Sequence, residues 1–267
     1  MHAMAIKMVV TDLDDTLLNC DKQISSYTGR ILSQCKQKGI RIVFATARPV
    51  PMCMPFVEMI EPHVLISCGG AIAEYGSHII HKAVLEPAMV REMIRVLGAN
   101  PSVGYITMET ETGYYVNKSY DKTDPDWVDY AHACVMNFDE QLPGGEIYVI
   151  SAEINEQAVM RKMAVRFPQT YLASFTGGQW YNFSNKDASK WEAIRRTAAY
   201  LDIDVKDIVA FGDNFNDIPM IQHCGIGVAV GNAHALVKAG ADAVCESNQA
   251  DGVAKWLEAN LLKAAKL

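Results

Sequence analysis

Ile6-Lys7-Met8-Val9-Val10-Thr11-Asp12-Leu13-Asp14-Asp15-Thr16-Leu17-Leu18 runs from an apolar stretch straight into three acids within four residues. The apolar residues do not alternate with polar ones, as they would in a strand exposed on one face. That pattern predicts a short strand buried on both faces, as in a parallel sheet. A helical pattern follows over 25–38 and stops at Gly39. Ile40 to Thr46 reads as a second buried strand, and Val64 to Ser67 as a third that ends at Gly69-Gly70. Strand, helix, strand, helix, strand predicts a right-handed parallel α/β sheet.

The same pattern returns late in the chain. Lys190–Leu201 reads as a helix, Ile208–Gly212 as a buried strand and Ile218–His223 as a short helix. Gly227–Val230 is a strand, Ala233–Ala239 a helix, Ala243–Val244 a short strand, and 251–265 a closing helix. The middle differs. A helix over 87–97 leads to strands at 103–109 and 113–117, a polar segment at 119–126 and a further helix. Strand 146–153, helix 155–166 and strands 170–175 and 179–184 complete it. Strands joined by short turns predict an antiparallel sheet with helices on one face. The expected class is α/β: a Rossmann-like parallel-sheet core domain at 1–84 and 188–267, with an α+β domain inserted at 85–187.

Composition narrows the function. The chain has 267 residues, half of them hydrophobic, which is enough to bury a core. Its 24 basic and 31 acidic residues give a net charge of −7 with no long basic run, which disfavours binding along a nucleic-acid backbone. Seven cysteines at scattered spacings, with no C-x-x-C pair, fit a reduced cytoplasmic protein. No signal peptide is visible. The longest uncharged stretch, between Asp217 and Lys238, is broken by Pro219, Asn232 and several glycines, so no membrane span is expected.

In open parallel sheets, ligands bind at the carboxyl ends of the strands. Three predicted strand ends carry polar clusters: Asp12 to Thr16, Thr46-Ala47-Arg48, and Gly212-Asp213-Asn214-Phe215-Asn216-Asp217. Carboxylates gathered in this way repel one another unless a cation sits among them. Oxygen-only donors suit a hard ion, Mg²⁺ above all. An EF-hand reading of Asp12-x-Asp14 fails, because Leu17 stands where that loop needs glycine.

These residues resemble the motifs of the haloacid-dehalogenase-like phosphatases, Cof-type branch. Asp12-Leu13-Asp14-Asp15-Thr16-Leu17-Leu18 is similar to motif I, and Ala45-Thr46-Ala47-Arg48 to motif II. Ser189-Lys190-Trp191-Glu192 is similar to motif III, and Gly212-Asp213-Asn214-Phe215-Asn216-Asp217-Ile218-Pro219-Met220 to motif IV. Gly227 to Ala233 and Asp251-Gly252-Val253 are further marks of the branch. The motifs occur in order over nearly the whole chain, and the inserted domain falls where the branch carries its cap. Two positions depart from the pattern: Asp15 replaces the usual glycine, and Gly69-Gly70-Ala71 replaces Asn-Gly-Ala.

The resemblance implies a Mg²⁺-dependent phosphatase of small phosphorylated metabolites, sugar phosphates foremost. Asp12 would attack phosphorus to form an aspartyl-phosphate. Asp14 would protonate the leaving alkoxide and then take a proton from water. Asp12, the Asp14 carbonyl and Asp213 would hold Mg²⁺. Thr46, Ala47, Lys190 and Asn216 would bind phosphate oxygens, while Asn214 and Asp217 support them. Arg48 reads equally as a salt-bridge partner or a substrate contact. A phosphotransferase or phosphomutase using the same intermediate is the first alternative, and a silent metal-binding regulatory protein the second. A monomer or weak homodimer is expected.

Each residue alone has a plainer reading. Asp12, Asp14 or Asp213 alone is a loop cap, Thr46 a strand-end hydroxyl, and Lys190 a solvated lysine with Lys186 as competitor. The 23-residue offset of Lys190 from Asp213 favours it over Lys186. The C-x₅-R spacing of Cys35 and Arg41 crosses a helix end and reads as chance. Gly225-x-Gly227-x-x-x-Gly231 misses the dinucleotide fingerprint. His78 and His81 read as surface residues. Tyr114, Tyr115, Trp180 and Tyr181 are candidates to face substrate, against a plainer reading as core.

Overall fold

The computed structural model describes residues 6–123, 127, 132–175 and 179–263. The chain divides into two compact units, Met1–His81 with Ser189–Leu267, and Lys82–Ala188.

In chain order the first segment comprises β1 (Met8–Thr11), α1 (Ser26–Gln37), β2 (Arg41–Ala45), α2 (Val50–Ile60), β3 (Val64–Ser67), β4 (Ile72–Tyr75) and β5 (His78–Lys82). The middle comprises α3 (Pro87–Gly98), β6 (Val103–Thr110), β7 (Gly113–Val116), β8 (Cys134–Val135), β9 (Ile147–Ile154), α4 (Gln157–Arg166), β10 (Thr170–Phe175) and β11 (Trp180–Asn185). The last segment comprises α5 (Lys190–Tyr200), β12 (Ile208–Gly212), α6 (Ile218–His223), β13 (Ile226–Ala229), α7 (Ala235–Gly240), β14 (Ala243–Val244) and α8 (Gly252–Leu257).

The first unit is built on a sheet of order β14-β13-β12-β1-β2-β3-β4-β5. β14 through β3 pair in parallel, and β4 returns antiparallel to β3. β1 lies between β12 and β2, with Thr11 opposite Phe211 and Phe44. All residues of β1, β3 and β12 are buried, as the unbroken apolar runs require. The core gathers Val9, Val10, Ile42, Phe44, Ile66, Val209, Phe211 and Val228. At about 25 cal/mol per Å² of apolar surface, such strands hold the sheet rigid beneath whatever their ends carry.

The second unit is a sheet of order β10-β11-β9-β6-β7-β8, antiparallel except for β7 with β8. Residues from α3 and α4 (Val90, Met93, Ile94, Val159, Met163) pack with Ile106, Met108, Ile150, Ala152 and Phe183 of the sheet.

Several expectations change. The β4–β5 pair and the proline-bearing helix α2 were not delimited by sequence pattern, and the two-residue β8 gave no signal. His78 is exposed and stacks on Tyr200 at 5.1 Å, but His81 is 6% exposed. Alternation along β5 turns successive residues to opposite sides, so neighbouring histidines need not share an environment. Tyr181 belongs to the apolar core of the second unit with Phe183, not to an open face. Tyr115 packs at the margin of that core. Tyr114 and Trp180 pack with Tyr105, Tyr120 and Trp127. The helix expected after the polar segment 119–126 falls largely outside the described residues. The closing helix is α-helical to Leu257 and continues as a wider π-type turn to Leu262, with 264–265 outside the described residues.

Candidate active site

The ends of β1 and β12 and the start of α5 converge on one carboxylate. Asp12 directly follows β1, and its backbone N–H donates to the Phe211 carbonyl at 3.0 Å. Its side chain is almost fully buried. Lys190, the first residue of α5, places Nζ 2.8 Å from Asp12 Oδ1 and 2.7 Å from Asp217 Oδ1. The lysine side chain is 1% exposed and that of Asp217 is fully buried. Ser189 caps α5 by accepting from the Glu192 N–H, which fixes where the helix begins and therefore where Lys190 points.

Close backbone contacts set this spacing. Gly70 has φ +101°, and a Cβ there would lie 2.2 Å from the Ser189 carbonyl carbon and 2.5 Å from the Lys190 nitrogen. Only glycine lets the loop after β3 approach the start of α5 so closely. Gly212 does the same at the end of β12, where a Cβ would fall 2.5 Å from Asp217 Cβ.

Asp217 has both oxygens engaged. Oδ1 meets Lys190, and Oδ2 accepts from the backbone N–H groups of Asp213 (3.0 Å) and Asn214 (3.1 Å). The Asn214 and Asp217 side chains form a reciprocal capping box around the turn Phe215–Asp217. Asp213 lies beside them, and its Oδ1 accepts from the Thr16 hydroxyl at 2.7 Å. Among the described residues, Asp12, Asp213 and Asp217 have carboxylate oxygens all within 4.8 Å of one another.

The electrostatics are unbalanced toward negative charge. Burial raises the Asp12 carboxyl well above the ordinary aspartate range. Lys190 opposes this, while Asp217 and Asp213 add to it. Burial, then the charge of Asp217, pushes Asp213 up to about 6. Lys190 is raised despite its burial, because Asp12 and Asp217 both favour its charge. Three carboxylates around one ammonium leave room for a further cation. Hard oxygen donors of this kind suit a divalent ion.

Asp14 is turned to other partners. Its carboxylate receives Arg48 Nε at 2.7 Å on Oδ2 and Arg48 Nη2 at 2.7 Å on Oδ1, with Lys22 Nζ 3.1 Å from Oδ1. Burial would raise this carboxyl, but the Arg48 hydrogen bonds and charge, then Lys22, hold it below the ordinary value. Asp12 and Asp213 of the expected metal set lie together, with Asp217 beside them, while the Asp14 side chain, whose backbone carbonyl was the expected ligand, pairs with Arg48 and Lys22. Thr46 is buried at the end of β2, and its hydroxyl accepts from the Arg48 N–H at 3.1 Å. Ala47 is exposed, Asn216 is half-exposed and Asn214 is exposed.

Sequence reasoning missed the ties that hold the first loop. Asp15 sits at φ +55°, in the left-handed region that favours glycine but that aspartate tolerates. Its carbonyl accepts from Asn232 Nδ2 at 2.6 Å. Asn232 Oδ1 in turn accepts from the Asn248 N–H, and Asn248 Nδ2 donates to the Leu18 carbonyl. Asp251 Oδ1 accepts from Ser25 and Thr28, joining the start of α1 to the start of α8. Asn232 and Asp251 both lie in stretches that stood out in the sequence, so a signal was present without its reason. Burial pushes the Cys35 thiol up to about 11, the reverse of what a nucleophilic cysteine needs.

Comparison with known proteins gives a consistent answer. The family model of the haloacid dehalogenase-like hydrolases matches residues 9–257. A Haemophilus influenzae protein named "Putative phosphatase" is 30% identical over 267 residues, covering 96% of this chain and 98% of that protein. The Bacillus subtilis 5-amino-6-(5-phospho-D-ribitylamino)uracil phosphatase YcsE is 23% identical, covering 94% of each. Among solved structures, the subclass IIB sugar phosphatase BT4131 superposes with a TM-score of 0.82 at 23% identity, over 95% of this chain and 98% of that one. With its parallel sheet, its clustered acids at the strand ends and a family match spanning both units, this chain belongs to the haloacid dehalogenase-like hydrolases.

Proposed function

We propose that this chain, a haloacid dehalogenase-like phosphatase, hydrolyses small phosphate monoesters, sugar phosphates foremost, through an aspartyl-phosphate on Asp12. The observation that carries the reading is the buried Asp12–Lys190–Asp217 arrangement at the carboxyl ends of β1 and β12. A carboxylate held this way is fixed in position and stripped of water, which is what an attack on phosphorus requires. Uncatalysed phosphate-monoester hydrolysis is so slow that enzymes accelerate it up to ~10²¹-fold, so several groups must act together.

In the first step an Asp12 oxygen forms a bond to phosphorus as the ester P–O bond breaks, and Asp14, which must first be protonated against the pull of Arg48 and Lys22, gives that proton to the departing oxygen. In the second, Asp14 takes a proton from water as that water attacks phosphorus, and the Asp12–phosphorus bond breaks to release phosphate. Lys190, Thr46, the Ala47 backbone and Asn216 hold the non-bridging oxygens. Asp217 keeps Lys190 in place, and Asn214 fixes the turn that carries it. A Mg²⁺ ion held by Asp12, Asp213 and the Asp14 carbonyl would neutralise charge on the carboxylate and the phosphoryl group.

The inserted domain, which we take as the cap over 85–187, selects the leaving group. Support for a polyhydroxy leaving group comes from the names of two relatives, one a sugar phosphatase and the other acting on a phospho-D-ribityl compound. No helix among the described residues is long and apolar enough to cross a membrane, and the described cysteines are all free thiols. We take the enzyme to be cytoplasmic, acting as a monomer or weak homodimer on a small metabolite rather than on nucleic acid.

The test is phosphate release from a panel of phosphorylated sugars, nucleotides and cofactors, with Mg²⁺, with EDTA, and with Asp12→Asn. Metal-dependent release that is lost in the variant supports the reading. Exchange of isomers without free phosphate would make the enzyme a phosphomutase. Mg²⁺ binding without turnover would make it a binding protein.

A further inference from the structure

The turn after Asp12 is held from the last segment of the chain. We propose that Asn232 is a positioning residue for the metal site, fixing the left-handed Asp15 and with it the direction of the Asp14 carbonyl. The inference rests on the Mg²⁺-dependent reading above.

Asp15 is where the turn needs a hold. Asp14 has ψ 132°, and Asp15 has φ +55° and ψ 6°. The peptide unit that carries the Asp14 carbonyl lies between the first two of these torsions, so they decide where its oxygen points. A left-handed aspartate persists only where its surroundings hold it. Thr16, next in the turn and 1% exposed, donates its hydroxyl to Asp213 Oδ1 at 2.7 Å. The chain therefore meets the acid cluster at two points, Asp12 and Thr16, and the reversal lies between them.

One segment grips the turn and its exit at three backbone groups. Asn232 Nδ2 donates to the Asp15 carbonyl at 2.6 Å, and Asn248 Nδ2 to the Leu18 carbonyl at 2.9 Å. The Cys20 N–H donates to Gln249 Oε1 at 3.0 Å. Of these three ties, only that of Asn232 falls on the left-handed residue. Asn232 Oδ1 accepts from the Asn248 N–H at 2.9 Å. A backbone donor at one end and a carbonyl at the other leave the amide a single orientation. The segment is itself tightly seated. The Gly231 N–H donates to the Glu246 carbonyl at 3.1 Å, and a Cβ on Gly231 would lie 2.8 Å from the Ser247 nitrogen. Lys238 Nζ donates to the Gly231 carbonyl at 2.5 Å.

The test compares Asn232→Ala, Asn232→Asp and Thr28→Val with wild type. Asn232 is exposed, so replacing it removes hydrogen bonds and leaves the core intact. An ionised aspartate keeps an acceptor for the Asn248 N–H but has no donor for the Asp15 carbonyl. Its charge alone would draw Mg²⁺ in, so weaker binding in that variant isolates the lost donor. Thr28 is buried and donates to Asp251 Oδ1 at 2.9 Å, so Thr28→Val weakens a neighbouring tie without touching the turn. Mg²⁺ affinity is read without substrate, by titration calorimetry and from the Mg²⁺ concentration that raises the melting temperature. Turnover of p-nitrophenyl phosphate is read over the same concentrations.

Both Asn232 variants should bind Mg²⁺ roughly 10- to 100-fold more weakly and lose turnover that excess Mg²⁺ partly restores. Their melting temperatures in EDTA should fall by about 5 °C or less. Thr28→Val should melt comparably early yet keep Mg²⁺ affinity within about twofold of wild type. Mg²⁺ bound by either Asn232 variant as tightly as by wild type would overturn the inference. An equal loss of affinity in Thr28→Val would overturn it too, since the effect would then be a general loosening. A wild-type protein that binds no Mg²⁺ would overturn the metal reading and this inference together. The expected order of affinities in a protein silent on every ester would uphold the positioning role and overturn the phosphatase reading alone.

Discussion

Asp213→Asn should make the metal-free protein more stable while removing its metal-dependent turnover. Asp213 carries a cost in the absence of a cation, because burial and the neighbouring Asp217 push its carboxyl from an ordinary 3.8 up to about 6. The gap is about 2 pH units, and each unit is worth about 1.4 kcal/mol, so ionised Asp213 costs the fold about 3 kcal/mol at most. The carboxyl is only half-buried, so partial solvation trims the figure to about 2 kcal/mol. The sign follows from linkage. The unfolded aspartate ionises first as pH rises through 3.8, so the folded state loses stability between there and about 6, and the full cost applies above. Asparagine keeps an oxygen to accept the Thr16 hydroxyl, which stands 2.7 Å from Asp213 Oδ1. Urea unfolding in EDTA should therefore show Asp213→Asn ahead of wild type by about 2 kcal/mol at pH 8 and by less at pH 5. Saturating Mg²⁺ should reverse the order by stabilising wild type alone. A variant less stable than wild type in EDTA at pH 8 would refute the reasoning.

Other perturbations test other links. Gly70→Ala should lower both the melting temperature and turnover, although Gly70 carries no chemistry, since its Cβ would meet Ser189 and Lys190 backbone inside 2.6 Å; we expect a cost above about 2 kcal/mol. Asp15→Gly should keep activity and raise stability by up to about 1 kcal/mol, because the residue sits at φ +55°, its carbonyl serves Asn232 whatever the side chain, and its exposed ion pair with Lys22 at 3.6 Å is worth little. In the second unit, the Arg95 hydrogen bond pulls Glu92 down to about 2; burial opposes it, and Arg166 adds to the pull. Its contribution is present above the ordinary glutamate value and disappears as pH falls toward 2, so the urea midpoint of wild type should exceed that of Glu92→Gln at pH 7 by more than it does at pH 3.

Much of the site was legible because its residues follow buried strands directly. The unbroken apolar runs before Asp12, Thr46 and Asp213 mark three strands of one parallel sheet, and their acids and hydroxyls fall together at one end. Lys190 was legible as the first residue of a serine-capped helix. What the pattern did not reveal depends on contacts between distant segments. That the Asp14 side chain pairs with Arg48 shows only once the fold brings the loop after β2 to it. Asn232 and Asn248 lie more than 200 residues from the loop they secure. α2 carries apolar residues on all sides and Pro55 within it, so it has neither a clear stripe nor a clean helix signature. Tyr181 and Trp180 were candidates together, yet a strand sends adjacent residues to opposite faces, and only the register with Ala152 puts Tyr181 in the core.

The most direct measurement of the central claim is an acid quench during turnover of a phosphorylated sugar with Mg²⁺, followed by mass spectrometry of the peptide containing Asp12. The account predicts phosphate on Asp12, present only while substrate remains, with label and turnover both absent in Asp12→Asn. Undiminished turnover in that variant, or phosphate carried on any other residue, would contradict it.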